Sequence, residues 1–188
     1  MDKSFEPKHY PSLEKDDAGL LSDIQAILSV RALGDPYSED GAFALNLASL
    51  PPGLRAMAAT HWLDTSLTLD SITWHFGNFG EPYLVAETEA GLQELGLHEL
   101  AMCFREAKEL MVPLLAQRTE ADGDPNEIIE HEGLEKIADD INRRAWALDD
   151  LGPKKSVIYE AWIRYTRQHP ESVFDGYHAS AGTKVDNE

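Results

Sequence analysis

The chain has 188 residues, of which 43% are hydrophobic, and its formal net charge at pH 7 is −18. This length allows one domain with a substantial core, or two small helical lobes. A pI near 4.6 argues against direct binding to nucleic acid or to an anionic membrane surface, whose phosphates would be repelled, and favours basic proteins, cationic ligands or divalent metals as partners.

The N-terminal part of the chain predicts a lead-in and two helices. Residues 1–15 contain two prolines and little periodicity, and predict a loose lead-in. Apolar residues at helical spacing begin near Asp16 and end before Gly34, which predicts the first helix. A short helix is predicted over residues 42–50, where a Pro-Pro-Gly sequence follows.

Residues 54–69 predict a third helix with a broad apolar face. Its only charged residues are Arg55 and Asp64. A helix that is apolar on most of its surface is usually buried, so we expect this one at the centre of the domain.

The next segment, Trp74-His-Phe-Gly-Asn-Phe-Gly80, is rich in aromatic residues and glycine. One interpretation is a tight turn between helices, in which the aromatic rings pack and the glycines allow close approach or positive φ. The alternative is a small pocket, lined by Trp74 with His75 and Asn78 as its polar groups. The structural turn is favoured.

Five more helical segments are predicted in the second half of the chain. One starts near Pro82 and ends at Gly96, and a strongly amphipathic one follows to about residue 114, with Pro113 kinking its end. A short helix is predicted to start at Ile128, and the last helix docks through the apolar side chains of residues 157–165. Between these two, another helix is predicted from an apolar stripe of Leu134, Ile137, Ala138, Ile141, Ala145 and Leu148. Trp62, Trp146 and Trp162 are all predicted to lie in the core.

The predicted fold class is therefore all-α. We expect a single compact helical domain of about seven helices over residues 16–174, followed by a flexible tail over residues 175–188. No apolar run approaches the length that spans a bilayer, and the N-terminus lacks the apolar segment of a signal peptide. The single cysteine, Cys103, fits a reducing compartment. These features predict a cytoplasmic protein.

Acidic residues concentrate in one part of the chain. Residues 119–151 hold eleven acids and three bases, whereas residues 41–80 sum to −1. In helical geometry Glu132, Glu135 and Asp139 would share one face, where like charges repel and a basic partner would relieve the repulsion. The predicted partner-binding residues of this acidic face are Asp122, Asp124, Glu127, Glu130, Glu132, Glu135, Asp139 and Asp140.

Catalytic and cofactor motifs are not found. Cys103 lies beside an apolar stripe and is expected to be a buried structural thiol. The chain has no Gly-x-Ser-x-Gly elbow, no Walker-type loop and no dinucleotide fingerprint, so no cofactor is predicted. His131 and Glu135 have a spacing that metal ligands can use, but the HExxH motif is absent and a metal site is not favoured. We expect a protein that is not an enzyme.

The stretch from Ile72 to Met111 resembles the DMP-nineteen-like family of DNA mimic proteins. Relatives carry an aromatic–Gly–Asn–aromatic–Gly element, a helix ending in a Leu/Ile-Gly turn, and a second amphipathic helix. The corresponding parts here are WHFGNFGEP, AETEAGLQELGLHEL and AMCFREAKELM. The segment from Tyr159 to Phe174 is similar to the family's closing helix and its short His-Pro tail. The resemblance implies an all-helical, dimeric protein and, for at least one characterised relative, binding of a DNA-binding protein through an acidic face.

The sequence leaves several functions open. The leading hypothesis is an acidic protein that binds a basic protein, such as a transcription factor or other DNA-binding protein, as a DNA mimic. Alternatives are an immunity or antitoxin-type protein that neutralises one toxin, and a ligand-binding module that uses the His75 and Asn78 region. The acidic residues could also form a plain solvated face.

Overall fold

The chain folds as a set of packed helices. A computed structural model describes residues 9–116, 127, 129–130, 132–150, 152 and 155–174. Within these residues there is no β-strand, and a 3₁₀ turn at Pro11–Glu14 precedes the first α-helix. The α-helices are α1 Asp17–Arg31, α2 Ala42–Leu47, α3 Pro52–Leu69, α4 Ile72–Asn78, α5 Pro82–Glu94, α6 His98–Ala116, α7 Glu135–Asp149, α8 Val157–Gln168 and α9 Glu171–Phe174. The all-α prediction is confirmed.

Local sequence signals explain where several helices begin and end. The Asp16 carboxylate accepts a hydrogen bond from the Gly19 amide at 2.8 Å and caps α1. The Ser71 and Ser156 hydroxyls cap α4 and α8 in the same way. Helix α5 ends at Gly96, whose φ of 73° permits the 2.8 Å bond from the Leu97 amide to the Leu92 carbonyl.

Helix α3 lies at the centre of the fold, as its sequence predicts. It contacts α2, α4, α5, α7, α8 and α9, most extensively α5. Leu54, Met57 and Leu63 have no exposed surface. The α3–α5 contact is close because Gly91 lacks a side chain: a Cβ there would lie 2.9 Å from the Ala56 carbonyl oxygen. A small residue thus lets two helix backbones approach each other.

Helices α4, α6 and α7 pack together on one side of α3. The amphipathic stripe of α6 is buried at Leu100, Phe104 and Met111. Helices α4 and α7 are joined by the buried Asn142 amide, which accepts hydrogen bonds from the Thr73 amide and hydroxyl at 3.2 and 3.1 Å. The core is therefore held by polar as well as apolar contacts between these helices.

The aromatic and glycine-rich segment differs from its predicted conformation. Ile72–Asn78 is a helix rather than a tight turn. Neither Gly77 nor Gly80 has positive φ. Close approach does occur at Gly80, where a Cβ would lie 2.1 Å from the Phe76 carbonyl oxygen. The Ser71 cap favours helix here, and Gly80 is needed only where the chain leaves it.

Two predicted core residues of α7 lie at the surface. Ile137 is 53% exposed and Trp146 is 44% exposed, with its indole N–H donating to the Asp70 carbonyl. The buried side of α7 is formed by Ala138, Ile141 and Ala145, which belong to the predicted stripe, and by Asn142, which does not. Trp162 is fully buried, as expected, whereas Trp62 is half-buried.

The described part of the lead-in, residues 9–15, is held against α8. The Arg167 guanidinium of α8 donates to the Leu13 and Lys15 carbonyls and binds the Asp17 carboxylate. The predicted tail, residues 175–188, lies outside the described residues. None of the described helices combines the length and the apolar character needed to cross a membrane.

Candidate functional site

The acidic segment is divided by a turn. Glu127 and Glu130 belong to a short helical stretch, whereas Glu135 and Asp139 lie on α7. Between them Gly133 has a φ of 69°, and the Leu134 amide donates to the Ile129 carbonyl at 3.0 Å, which ends the first stretch. The prediction that Glu132 shares a helical face with the acids of α7 is therefore wrong, because Glu132 lies in the turn. Asp122 and Asp124 lie outside the described residues.

The exposed carboxylates of residues 127–139 have no basic partner in the part of the chain that the structure describes. All of them are solvent-exposed, and none forms an ion pair or accepts a hydrogen bond from another described residue. These carboxylates are Glu127, Glu130, Glu132, Glu135 and Asp139. We call them the acidic surface. Lys136 is the one base between residues 127 and 139, so the acidic surface keeps a net negative charge.

Asp140 differs from its neighbours in the predicted face. Its carboxylate accepts hydrogen bonds from Arg143 and, at 3.0 Å, from Arg144. Arg144 also reaches across to α6 and forms a bidentate pair with Glu106. This hydrogen bond holds the pKa of Glu106 below its usual range and raises the pKa of Arg144. Asp140 and Glu106 thus join α6 to α7, and we exclude them from the acidic surface.

Helix α6 adds two exposed acids beside α7. Glu99 and Glu109 lie on the outer side of α6, and within the described part of the chain neither has an ion-pair partner. Helix α6 packs against α7, whereas Glu109 also lines a cleft with Pro82 and Val85 of α5.

The carboxylates of α5 are all used within the molecule. Glu87 forms a bidentate pair with Arg55 of α3, Glu89 binds Arg105 and Lys108 of α6, and Glu94 accepts a hydrogen bond from the Tyr165 hydroxyl. The two cations hold the pKa of Glu89 below its usual range. These acids are not available to a partner without breaking internal contacts.

The structure separates the residues of the predicted aromatic pocket. His75 is completely buried, and its Nδ1 lies 2.9 Å from the Ser66 hydroxyl. Burial lowers the pKa of His75 to about 3, so its imidazole is neutral at pH 7. Trp74 is half-buried and its carbonyl accepts a hydrogen bond from the Asn78 amide at 3.2 Å. Asn78 lines a surface cleft of about 340 Å³, which His75 does not reach.

A buried polar network between α3 and α8 was missed by the sequence analysis. The Asp64 carboxylate accepts a hydrogen bond from Ser156 and interacts with Tyr159, whose hydroxyl lies 3.1 Å from His61 Nδ1. Burial raises the pKa of Asp64 and lowers that of His61. The signal for this network was present in the sequence as a lone acid in an apolar helix, since a buried carboxylate needs hydrogen-bond donors.

No metal centre is formed among the described side chains, and the single cysteine is buried. No three His, Cys, Asp or Glu residues in the described ranges are grouped to hold a metal ion, and His131 lies outside those ranges. Cys103 is buried, as expected, and burial raises the pKa of its thiol. A buried, protonated thiol is a structural residue rather than a nucleophile.

Comparison with known proteins places the chain in a family. No curated protein and no solved structure matches it. A family model described as DMP19-like protein matches residues 48–169, which include α3 to α8, the acidic surface and the aromatic segment. The chain belongs to the family of DMP19-like proteins.

Proposed function

We propose that the protein binds a basic, DNA-binding protein through the acidic surface, where carboxylates take the place of DNA phosphates. The observation that carries this proposal is the exposure of five carboxylates that pair with no cation among the described residues, namely Glu127, Glu130, Glu132, Glu135 and Asp139. Family membership supports the same role, because the resemblance to DNA mimic proteins is carried by the region that the family model matches.

The physical argument is one of unsatisfied charge. Like charges at i, i+4, such as Glu135 and Asp139, repel by a few tenths of a kcal/mol. Lysine and arginine side chains of a partner would relieve this repulsion and would no longer be available to phosphate. Duplex DNA carries a phosphate about every 3.4 Å along each strand, a density that α7 alone does not reach. Glu99 and Glu109 of the adjacent α6 supply further charge.

The first test removes the charge and keeps the fold. We expect the variant Glu132→Gln, Glu135→Gln, Asp139→Asn to lose capture of the partner from a lysate of the source organism at low salt. Its matched control, Glu14→Gln, Glu39→Gln, Glu171→Gln, changes the net charge equally at exposed sites elsewhere and should retain the partner. Asp140 is left unchanged, since its removal would free Arg143 and Arg144.

Duplex DNA as a competitor separates mimicry from other binding. If the partner is a DNA-binding protein held at its DNA site, excess duplex should displace it, and retention should fall steeply as salt rises. Retention that survives excess duplex would contradict mimicry and favour a toxin-neutralising role. Equal loss of capture in both triple variants would show that only total charge matters, which also contradicts the proposal.

A further inference from the structure

A cleft between α1 and α3 has no part in the proposed function. It has a volume of about 380 Å³, within the usual range of small-molecule sites. Its apolar wall is formed by Leu28, Phe43, Ala58 and Trp62, and its polar groups are Gln25, Ser29 and His61. None of the residues lining this cleft is Asp, Glu, Lys or Arg, which favours a neutral ligand because an unpaired charge is costly to desolvate.

The wall of the cleft presents aromatic surface. The Phe43 and Trp62 rings contact each other nearly edge to face, with centroids 6.3 Å apart, and His61 lies 5.0 Å from Trp62. Trp62 is half-buried, and part of its ring therefore remains open to the cleft. Such a wall suits a planar aromatic molecule, which can stack on the open part of the indole or approach it edge to face.

The hydrogen-bond network behind the cleft sets the tautomer of His61. Asp64 accepts hydrogen bonds, so the Tyr159 hydroxyl donates its proton to that carboxylate. The Tyr159 oxygen lies 3.1 Å from His61 Nδ1 and, with its own proton directed at Asp64, accepts a hydrogen bond from that nitrogen. Burial lowers the pKa of His61, so the imidazole is neutral at pH 7 and its Nε2 carries a lone pair.

His61 lines the cleft together with Gln25 and Ser29, and its Nε2 is the ring nitrogen that does not contact Tyr159. Among the described residues no group donates a hydrogen bond to Nε2. We propose that the cleft binds a small, neutral aromatic molecule with a hydroxyl group, a phenol, whose O–H donates to His61 Nε2 while its ring packs on Trp62. The proposal is independent of the acidic surface, which lies on other helices.

The test uses 1-naphthol as the probe and 1-methoxynaphthalene as its partner compound, in which the ring and oxygen remain but the donor is lost. Isothermal titration calorimetry on the full chain should show 1-naphthol binding at least about tenfold more tightly than the ether, a difference that corresponds to about 1.4 kcal/mol. Binding of 1-naphthol should also move the ¹⁵N resonance of His61 Nε2, because that lone pair then accepts a hydrogen bond.

Two variants separate the hydrogen bond from the shape of the site. His61→Phe should reduce the affinity for 1-naphthol to that for the ether, and leave the affinity for the ether nearly unchanged. Ser29→Phe adds a ring at an exposed position that lines the cleft and should abolish binding of both compounds. Ala26→Phe, at an exposed position of α1 outside the cleft, is the matched control and should bind as the natural chain does.

The proposal is overturned by any of three results. These are a dissociation constant for 1-naphthol weaker than about 1 mM, equal affinity for the two compounds, or unchanged binding by Ser29→Phe. Because Ser29 is exposed, failure of that variant to fold is not expected, and the test holds even if His61→Phe is unstable.

Discussion

The carboxylates of α5 and those of the acidic surface both come from stretches with a net negative charge, but they have opposite roles. Glu87, Glu89 and Glu94 of α5 each bind a cation or a tyrosine hydroxyl of another helix. Within the described residues, the carboxylates of the acidic surface bind none. The number of acids in a segment therefore does not give the charge that it offers to a partner.

The difference arises from the neighbours of each segment. Helix α5 packs against α3 and α6, which supply Arg55, Arg105 and Lys108. The acids of the acidic surface lie on the outer side of the structure, and the two arginines of α7 are engaged by Asp140 and Glu106. We expect the paired acids to contribute to stability and the unpaired acids to contribute to binding.

The largest expected effect is on the pH dependence of stability. It distinguishes whether buried groups or the carboxylates of the acidic surface determine how much free energy of unfolding is lost at low pH. Burial lowers the pKa of His75 to about 3 from 6.5. Between pH 6.5 and pH 3, His75 binds a proton in the unfolded chain but not in the folded chain. The free energy of unfolding therefore decreases as the pH falls, by at most about 1.4 kcal/mol per pH unit. Urea unfolding at pH 7, 6, 5 and 4 should show a smaller loss for His75→Phe than for the natural chain.

His75→Phe removes the contact between His75 and the Ser66 hydroxyl but does not leave that hydroxyl unpaired, because it also donates a hydrogen bond to the Trp62 carbonyl at 2.8 Å. The other titrating groups are common to both proteins, so the difference between the two pH profiles isolates His75. Identical profiles would show that His75 does not control acid stability, and would direct attention to the carboxylates.

The second prediction concerns the close contact that brings α5 to its cations. Gly91→Ala places a Cβ 2.9 Å from the Ala56 carbonyl oxygen, so α3 and α5 must separate. Alanine is the better helix former by about 1 kcal/mol, and we expect a net loss of about 2 kcal/mol after this gain. Urea denaturation measures it, with Ala90→Ser at the neighbouring exposed position as the control. A stabilised Gly91→Ala variant would mean that the helices are not held this closely.

The third prediction concerns an acid of the paired region that caps a helix. Glu81 is buried, and its two carboxylate oxygens accept hydrogen bonds from the Tyr83 and Leu84 amides at 3.0 and 2.7 Å. Glu81→Ala leaves both donors at the start of α5 unpaired, and should lower the free energy of unfolding by about 1 kcal/mol. Glu81→Gln keeps one acceptor and should lose less. Equal losses for the two variants would assign the effect to charge rather than to capping.

The smallest expected effect compares the two regions directly. Glu87→Gln breaks a partly buried pair with Arg55 and should cost about 0.5–1 kcal/mol. Glu135→Gln removes one of two repelling charges but also an acid from the first turn of α7. These effects oppose each other, so the free energy of unfolding should stay within about 0.5 kcal/mol. Differential scanning calorimetry on the two variants and the natural chain measures both changes in the free energy of unfolding. A larger loss from Glu135→Gln would mean that the acidic surface is structural.

The acidic surface could be predicted from sequence only in part. Exposure of Glu135 and Asp139 followed from the apolar stripe of α7, since charged residues off that stripe face solvent. The pairing of Asp140 with Arg144 and of Arg144 with Glu106 could not be predicted, because Glu106 is 38 residues away in sequence. The turn at Gly133, which separates Glu132 from α7, was missed because the acids were counted along one continuous helix.

The helices themselves were fixed by local sequence. Apolar periodicity, the caps at Asp16, Ser71 and Ser156, and the glycine after α5 act over a few residues, so the number of long helices and the centrality of α3 could be predicted. The tertiary structure alone decided which polar groups meet. It placed Asp64 beside Tyr159 and left His61 at the edge of a cleft. It also gave each acid of α5 a partner on another helix but, within the described residues, gave none to the acidic surface. Side chains distant in sequence pair only when helix packing brings them together, and that packing depends on all the helices at once.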